Sequence, residues 1–321
     1  MKKKAFIIFR LVVTFAIFFA LFKVVPYEKL VNVYRDSRKV YLFLGLATFF
    51  VAYFTGVNRW RFLLSSLGIQ ASLREVFSSF FSGLFFNIFF PSFIAGDFFR
   101  GFSISYRYGG LKKVASSVLM DRFCGGLALT IVSLLALIAG GAALRQNSVI
   151  LAVLVLCLIS TFGIFVIFSR RFFNFLSKVF KWFPLFKSKL ISFHDQLYFF
   201  KKNPRIFLKT LGISFVVQTL TAFAFFTISK AFYLNISIIN FLILVPIIMA
   251  ISLIPLTPVG AGTREASAVY FFSLIGIEKS VGLGISFMNL FFLILMGILG
   301  GIFYVSVHHR WFQSNTQSFK T

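Results

Sequence analysis

Apolar runs long enough to cross roughly 30 Å of hydrocarbon leave this chain little freedom of fold. They fall near residues 5–25, 40–57, 114–140, 149–168, 207–229, 238–256 and 281–305. No water reaches backbone amides inside a bilayer, so each run must close its hydrogen bonds within itself as a helix. Two further apolar segments, about 76–96 and 259–277, are interrupted by proline and glycine. They suit re-entrant hairpins, half-helices or short spans. The expected fold is an all-α, polytopic integral membrane helix bundle of about seven or eight spans. Its two broken segments stand in corresponding halves, which suggests an inverted repeat.

Composition agrees. The chain is 59% hydrophobic and 20% aromatic, and only 13% charged, against about a quarter in soluble domains. The longest hydrophilic stretch, 169–206, is too short for a folded soluble domain, so residues 1–321 read as a single integral membrane domain. Within that stretch Phe172, Phe173, Leu176, Val179, Phe180 and Phe183 recur at helical spacing, with Arg171, Asn174, Lys178 and Lys181 opposite. This predicts an amphipathic helix lying in the membrane interface. The net charge of +25 comes without a compact basic fold or a base-stacking pattern, which argues against nucleic acid and for anionic lipid headgroups as partners.

Basic residues also set topology. Lys2 to Lys4, Arg59, Arg61, Arg74, the cluster from Arg100 to Lys113 and the 169–206 loop all prefer the cytoplasmic side of a cell membrane. The rule is met if 76–96 dips in and returns while 259–277 crosses fully, giving eight crossings with both ends inside. Lys29, Arg35, Arg38 and Lys39 then lie outside, against the rule. The N-terminal run lacks a small-x-small cleavage pattern and reads as a retained first span.

Against this apolar background the acids stand out. There are only eight, and three sit beside arginines in or next to hydrophobic stretches: Asp97 with Arg100, Asp121 with Arg122, and Glu265 with Arg264. An unpaired charge at mid-membrane costs about 2.5 to 3.5 kcal/mol. Pairing, a water-filled cavity or headgroup depth must therefore offset much of the cost. The first broken segment runs from Asn87 through Pro91 and Gly96 to Asp97 and Arg100, and a helix break is expected between Pro91 and Gly96. The second carries Pro258, Gly260, Gly262, Arg264 and Glu265, with Thr263 placed to cap a new half-helix whose amides face an anion.

Adjacent helical residues point about 100° apart, so Asp121 and Arg122 need partners elsewhere. Arg122 with Asp97 or Glu265, and Asp121 with Arg100 or Arg264, would join the clusters into one network. The alternative places both at the water boundary. In the functional reading Arg100 binds phosphate and Asp97 holds Arg100 or a cationic group; in the plainer one Arg100 only anchors a helix end.

These residues carry a resemblance. Asn87, Pro91, Gly96, Asp97 and Arg100, then Asp121-Arg122 with Gly125, then Pro258, Gly260, Gly262, Arg264 and Glu265, resemble the lysylphosphatidylglycerol synthase transmembrane-region family. That family looks like the flippase half of the bacterial multiple peptide resistance factor. The departures are Ala95 and Ala261, where the family commonly has glycine and leucine. The resemblance implies a membrane domain handling polar lipids, with Asn87, Asp97, Arg100, Asp121, Arg122, Arg264 and Glu265 as the headgroup site. In the fused relatives aminoacyl transfer belongs to a separate soluble domain, so lysine transfer is not expected here, and a separate soluble lipid-modifying enzyme is a candidate partner.

Chemistry of other kinds has little support in the residues. Cys124 and Cys157 read as packing residues, His194, His308 and His309 lie in loop or terminal positions, and no hydrolase, metalloprotease or phosphate-loop pattern occurs. No catalytic residue, metal or cofactor is expected. The leading expectation is a flippase or transporter for an anionic or aminoacylated phospholipid, or another lipid-linked headgroup. A scaffold subunit for a lipid-modifying system and a lipid- or polyprenyl-phosphate-modifying enzyme are the alternatives. Gly297, Gly300 and Gly301 predict a close helix contact, within the monomer or in a homodimer.

Overall fold

The computed structural model describes residues 2–89, 93–139, 146–169, 171, 198–254 and 256–308. Helices make up most of them, and no strand occurs among them. In chain order they are α1 (Lys2–Val24), α2 (Tyr27–Arg35), α3 (Lys39–Ser66), α4 (Leu73–Phe89), α5 (Phe93–Tyr108) and α6 (Leu111–Ala139). Then follow α7 (Asn147–Phe168), α8 (Pro204–Ala231), α9 (Ile238–Ser252), a 3-10 turn (Pro258–Gly260), α10 (Thr263–Ser273) and α11 (Lys279–Phe303). Helices α3, α6, α7, α8 and α11 are long and apolar enough to cross a bilayer, and Val12–Val24 and Ile238–Ser252 are shorter apolar helices. These seven match the seven uninterrupted apolar runs, as expected of a multi-pass bundle.

Helices α4 and α5 form the first hairpin. Its feet meet, with Arg107 Nη1 2.9 Å from Glu75 Oε1 and the Tyr108 hydroxyl donating to Glu75 Oε2. The helices therefore enter and leave at one face, the face at which the chain begins, called here the N-face. Ser72 and Glu75 build a capping box: the Ser72 amide and hydroxyl each donate to Glu75 Oε2 at 2.8 Å, and the Glu75 amide donates back to Ser72 Oγ at 3.4 Å. Two orphan donors at the start of α4 are thereby satisfied. Along the hairpin, a Cβ on Gly96 would collide with the Gly83 carbonyl and the Asn87 amide. Gly96 was expected to break the helix; it lies inside α5, and its missing side chain lets α5 sit on α4. Helix α4 ends at Phe89 and α5 begins at Phe93, and residues 90–92, Pro91 among them, lie outside the described residues.

Helices α9 and α10 form the second hairpin. Phe241, near the start of α9, packs on Phe272, near the end of α10, with ring centroids 5.6 Å apart. The Leu274 carbonyl just beyond accepts from Gln146 Nε2 at the head of α7, 2.9 Å away. The chain thus returns to the face at which α9 entered, and the expected full crossing of 259–277 does not occur. The physical reason is length and turn chemistry. The 15 residues of α9 reach only about 22 Å at 1.5 Å per residue. Gly260 at φ +69° and Gly262 at φ +93° then reverse the chain in backbone conformations that glycine adopts freely. Pro258, Gly260 and Gly262 therefore do break the helix as expected.

Five helices, α3, α6, α7, α8 and α11, are long and apolar enough to run from face to face among the described residues, and α1 packs against α10. The N-face receives the ends of α3 and α11 and the starts of α6 and α8. Span, hairpin and span repeat twice, as α3 to α6 and as α8 to α11, and the two hairpins enter from opposite faces. The packing obeys this symmetry: α3 lies along α8, α4 along α11 and α9 along α6. A Cβ on Gly300 would strike the Phe81 carbonyl, and Cβ atoms on Gly297 and Gly301 would strike the Ile88 and Phe85 side chains. This small-residue stripe therefore seats α4 within the same chain. Most of the 169–206 loop, including the expected interfacial helix, lies outside the described residues.

Candidate functional site

The charges of the first repeat unit sit well inside the bundle. Asp97 is 11 residues before the end of α5 and Asp121 ten after the start of α6, which puts both roughly 15 Å from the N-face. Asp121, only 2% exposed, accepts from Arg59 Nε at 2.7 Å on one oxygen and from Arg100 Nη2 at 3.0 Å on the other. Asp97 accepts from Arg122 through both Nε, at 2.7 Å, and Nη2, at 2.9 Å. Arg100 Nε lies 3.0 Å from Asp97 Oδ1 as an ion pair. The result is a chain of alternating charge, Arg59, Asp121, Arg100, Asp97 and Arg122, that ties α3, α6 and α5 together.

Supporting contacts fix this chain. Arg59 Nη1 donates to Ser214 Oγ of α8 at 2.9 Å. The Arg100 guanidinium lies 4.8 Å from the Trp60 ring centroid and 5.1 Å from that of Phe80. Trp60 is itself held by its indole N–H donating to Ser117 Oγ at 3.1 Å. Arg100 is thus enclosed by aromatic faces and two carboxylates, a setting that suits a delocalised, weakly hydrated cation. Arg122, at the far end, keeps 46% of its side chain exposed.

The second repeat unit handles charge locally. Arg264 donates to Glu265 Oε1 from Nε at 3.0 Å and Nη2 at 2.8 Å. These neighbours can pair because Glu265 folds back over the helix start. Its Oε2 accepts from the Gly262 amide at 2.6 Å, and Ser286 Oγ donates to Oε1 at 3.3 Å. The expected cap, Thr263, instead donates to the Gly260 carbonyl at 3.1 Å and contacts Thr257 Oγ1 at 3.2 Å. Gly262 occupies the N-cap position, and Glu265 supplies the oxygen that satisfies its amide.

Between the two units lies a cavity of about 340 Å³. Its polar lining is Tyr53 and Arg59 from α3, Asn87 from α4, Asp121 and Arg122 from α6, Gln218 and Thr221 from α8, Ser252 from α9, Arg264 from α10 and Asn289 from α11. Phe49, Phe80, Leu84 and Leu293 provide apolar wall. Of the seven expected site residues, Asn87, Asp121, Arg122 and Arg264 line this space. Asp97, Arg100 and Glu265 stand behind it and hold the lining arginines or their partners. Asn87 also has a structural task, accepting from the Gly96 amide at 2.8 Å.

The expected pairings of Arg122 with Asp97 and of Asp121 with Arg100 are both present. Arg264 and Glu265 join the group through the shared cavity and make no ion pair with Asp97 or Asp121 among the described residues. Arg59, Tyr53, Gln218 and Asn289 were not anticipated. Arg59 had a legible signal, since Ala52, Gly56, Arg59 and Leu63 recur at helical spacing on one buried stripe of α3. Four arginines, 59, 100, 122 and 264, face three carboxylates, Asp97, Asp121 and Glu265, which leaves a formal charge of +1 at the site. A small oxyanion attached to an apolar body fits this combination of charge and wall. Among the described residues no group of three or more His, Cys, Asp or Glu could hold a metal ion.

The family Lysylphosphatidylglycerol synthase TM region matches residues 7–301. No curated protein matches the chain. The matched stretch contains both hairpins and every residue of the charge network, so the sequence resemblance and the opposed-hairpin bundle describe the same part of the molecule. The chain belongs to the lysylphosphatidylglycerol synthase TM-region family, as a multi-pass membrane protein with a membrane-lipid-related role.

Proposed function

We propose that this protein moves a lipid with an anionic headgroup between the leaflets of a cell membrane. The observation that carries the reading is the cavity between two hairpins of opposite entry, lined by Arg59, Arg122 and Arg264 together with Asp121, neutral polar groups and an apolar wall. Arginine guanidinium groups bind phosphoryl oxygens in bidentate fashion, so a headgroup phosphate can exchange for the carboxylates that now occupy them. Arg122 is the natural first contact, being half-exposed and, among the described residues, ion-paired with Asp97 only. Asp97 then serves as the returning anion that releases the headgroup. The acyl tails remain in the bilayer while the headgroup crosses, and rocking of the two repeat units about the α3–α8 contact exposes the cavity to alternate faces. No chemical step is assigned to the site.

Reconstitution in liposomes carrying fluorescent anionic, aminoacylated or zwitterionic phospholipids tests this reading. Exchange of one or more of these lipids between leaflets supports it, provided Arg122→Ala abolishes exchange while melting close to the unmodified protein. Absence of exchange for every lipid under varied ion gradients would contradict it and favour a scaffold role.

A further inference from the structure

Asn289 is the feature of the cavity that nothing in the charge network explains. It lies near the middle of α11, is 2% exposed and lines the cavity. Its amide Nδ2 is buried without a hydrogen-bond partner among the described residues. A buried amide left unsatisfied is costly, more so in a membrane interior where water cannot repay it. One turn earlier on the same helix face, Ser286 does have a partner, the Glu265 carboxylate that holds Arg264. The polar stripe of α11 therefore points at the second hairpin, and the amide Nδ2 of its second member, Asn289, has no hydrogen-bond partner among the described residues.

We infer that Asn289 is a recognition residue of the cavity, donating its amide N–H to an oxyanion that also contacts Arg122 and Arg264. The inference rests on the proposed anion-binding reading of the cavity and names the neutral donor that completes it. Two features support an oxygen-rich anion as the missing partner. The lining groups include three arginines against one carboxylate, Asp121, and the whole network keeps a formal charge of +1, so the field favours negative charge. A carboxamide N–H also adds direction to binding that point charges alone do not provide. Phosphoryl oxygens of a lipid headgroup and of free phosphate share this chemistry.

The test measures binding rather than transport, on the full-length protein in detergent, with dioctanoyl anionic phospholipid in one arm and inorganic phosphate in the other. Variants are Asn289→Leu, which keeps size but removes the donor, and Asn289→Asp, which places a negative charge there. A hydrogen bond to a charged oxygen is worth enough that Asn289→Leu should weaken lipid binding about 10- to 100-fold. That variant should melt at or above the temperature of the unmodified protein, because it removes an unpaired amide. Asn289→Asp should bind more weakly still.

Equal binding by Asn289→Leu and the unmodified protein would overturn the inference while leaving the cavity an anion site. A lower melting temperature for Asn289→Leu would also overturn it, by showing the amide to be structural. An unmodified protein that binds neither probe would overturn both this inference and the anion reading beneath it. If the lipid binds and phosphate does not, the ligand is a headgroup held together with its apolar body; if both bind, the shared oxyanion chemistry suffices.

Discussion

The two hairpins solve the same problem differently. In the first, α4 and α5 place Asp97 and Arg100 in ion pairs with other helices, and their feet are latched by Glu75, Arg107 and Tyr108. In the second, Arg264 and Glu265 pair with each other at the tip, and Glu265 closes its own helix start. One hairpin is tied by charge to the scaffold, while the other carries a self-contained charged tip against the cavity. A shift of the first breaks ion pairs between helices; a shift of the second carries its pair along. The second hairpin is therefore the one that can move the cavity lining at lower electrostatic cost.

Removing the central acid should have the largest effect. Asp121→Asn leaves Arg59 and Arg100 buried without their shared carboxylate, and breaking such a pair costs about 3 to 5 kcal/mol. Glu265→Gln retains an oxygen for the Gly262 amide and should cost less, about 1.5 to 3 kcal/mol for weakened charged hydrogen bonds. Thermal melting in detergent ranks the two, and the reverse order would break the contrast between scaffold-tied and self-contained charge.

Backbone constraints come next. Gly96→Ala forces a methyl group against the Gly83 carbonyl and Asn87, with an overpacking cost of about 1 to 3 kcal/mol. Gly260→Ala strains a left-handed residue, worth about 1 to 2 kcal/mol, and presses on the Ser252 carbonyl. Both should lower the melting temperature, the first by wedging α4 and α5 apart and the second by distorting a turn.

The latch gives the first hairpin a pH dependence. Glu75 sits at the N-face foot, outside the spanning helices. Burial raises its pKa, but hydrogen bonds from Tyr108 and Ser72 and the charge of Arg107 outweigh that and hold the carboxyl below its ordinary value. Its folded pKa is thus below the unfolded one. The stabilisation is complete above the ordinary carboxylate range and fades as pH falls through the depressed folded value. Melting followed from about pH 6 to 3 should lose part of its acid-side slope in Glu75→Gln.

The smallest stability effect belongs to Arg122→Ala. Its side chain is half-exposed and Asp97 retains Arg100, so the loss should stay below about 1 kcal/mol, measured by the same melts.

Much of the first unit was readable because buried charge is scarce and must be paired. With only eight acids in the chain, buried arginines had few partners besides Asp97 and Asp121, and helix geometry ruled out Asp121 with its neighbour Arg122. Arg59 was missed because it stands two residues from Arg61 among basic residues that looked like topology anchors, although its small-residue stripe marked the buried side. The return of the second hairpin was hidden for another reason. The segments 238–256 and 259–277 each carry enough apolar residues to cross, and only the left-handed conformations of Gly260 and Gly262 send the chain back. Thr263 failed as a cap because a glutamate three residues beyond Gly262 reaches that amide first, a capping-box arm visible in sequence as Gly262 to Glu265.

Opposed entry of the two hairpins is the claim on which the cavity and its proposed action stand, and thiol accessibility tests it most directly. With Cys124 and Cys157 replaced by serine, single cysteines go at Arg74 and Tyr106, the feet of the first hairpin, and at Ser237 and Glu278, flanking the second. An impermeant maleimide is then applied to sealed vesicles of known orientation. The account predicts that positions 74 and 106 react from one face and positions 237 and 278 from the other. Labelling of 237 and 278 from different faces would mean that the second segment crosses the membrane, and the opposed-hairpin account would fail.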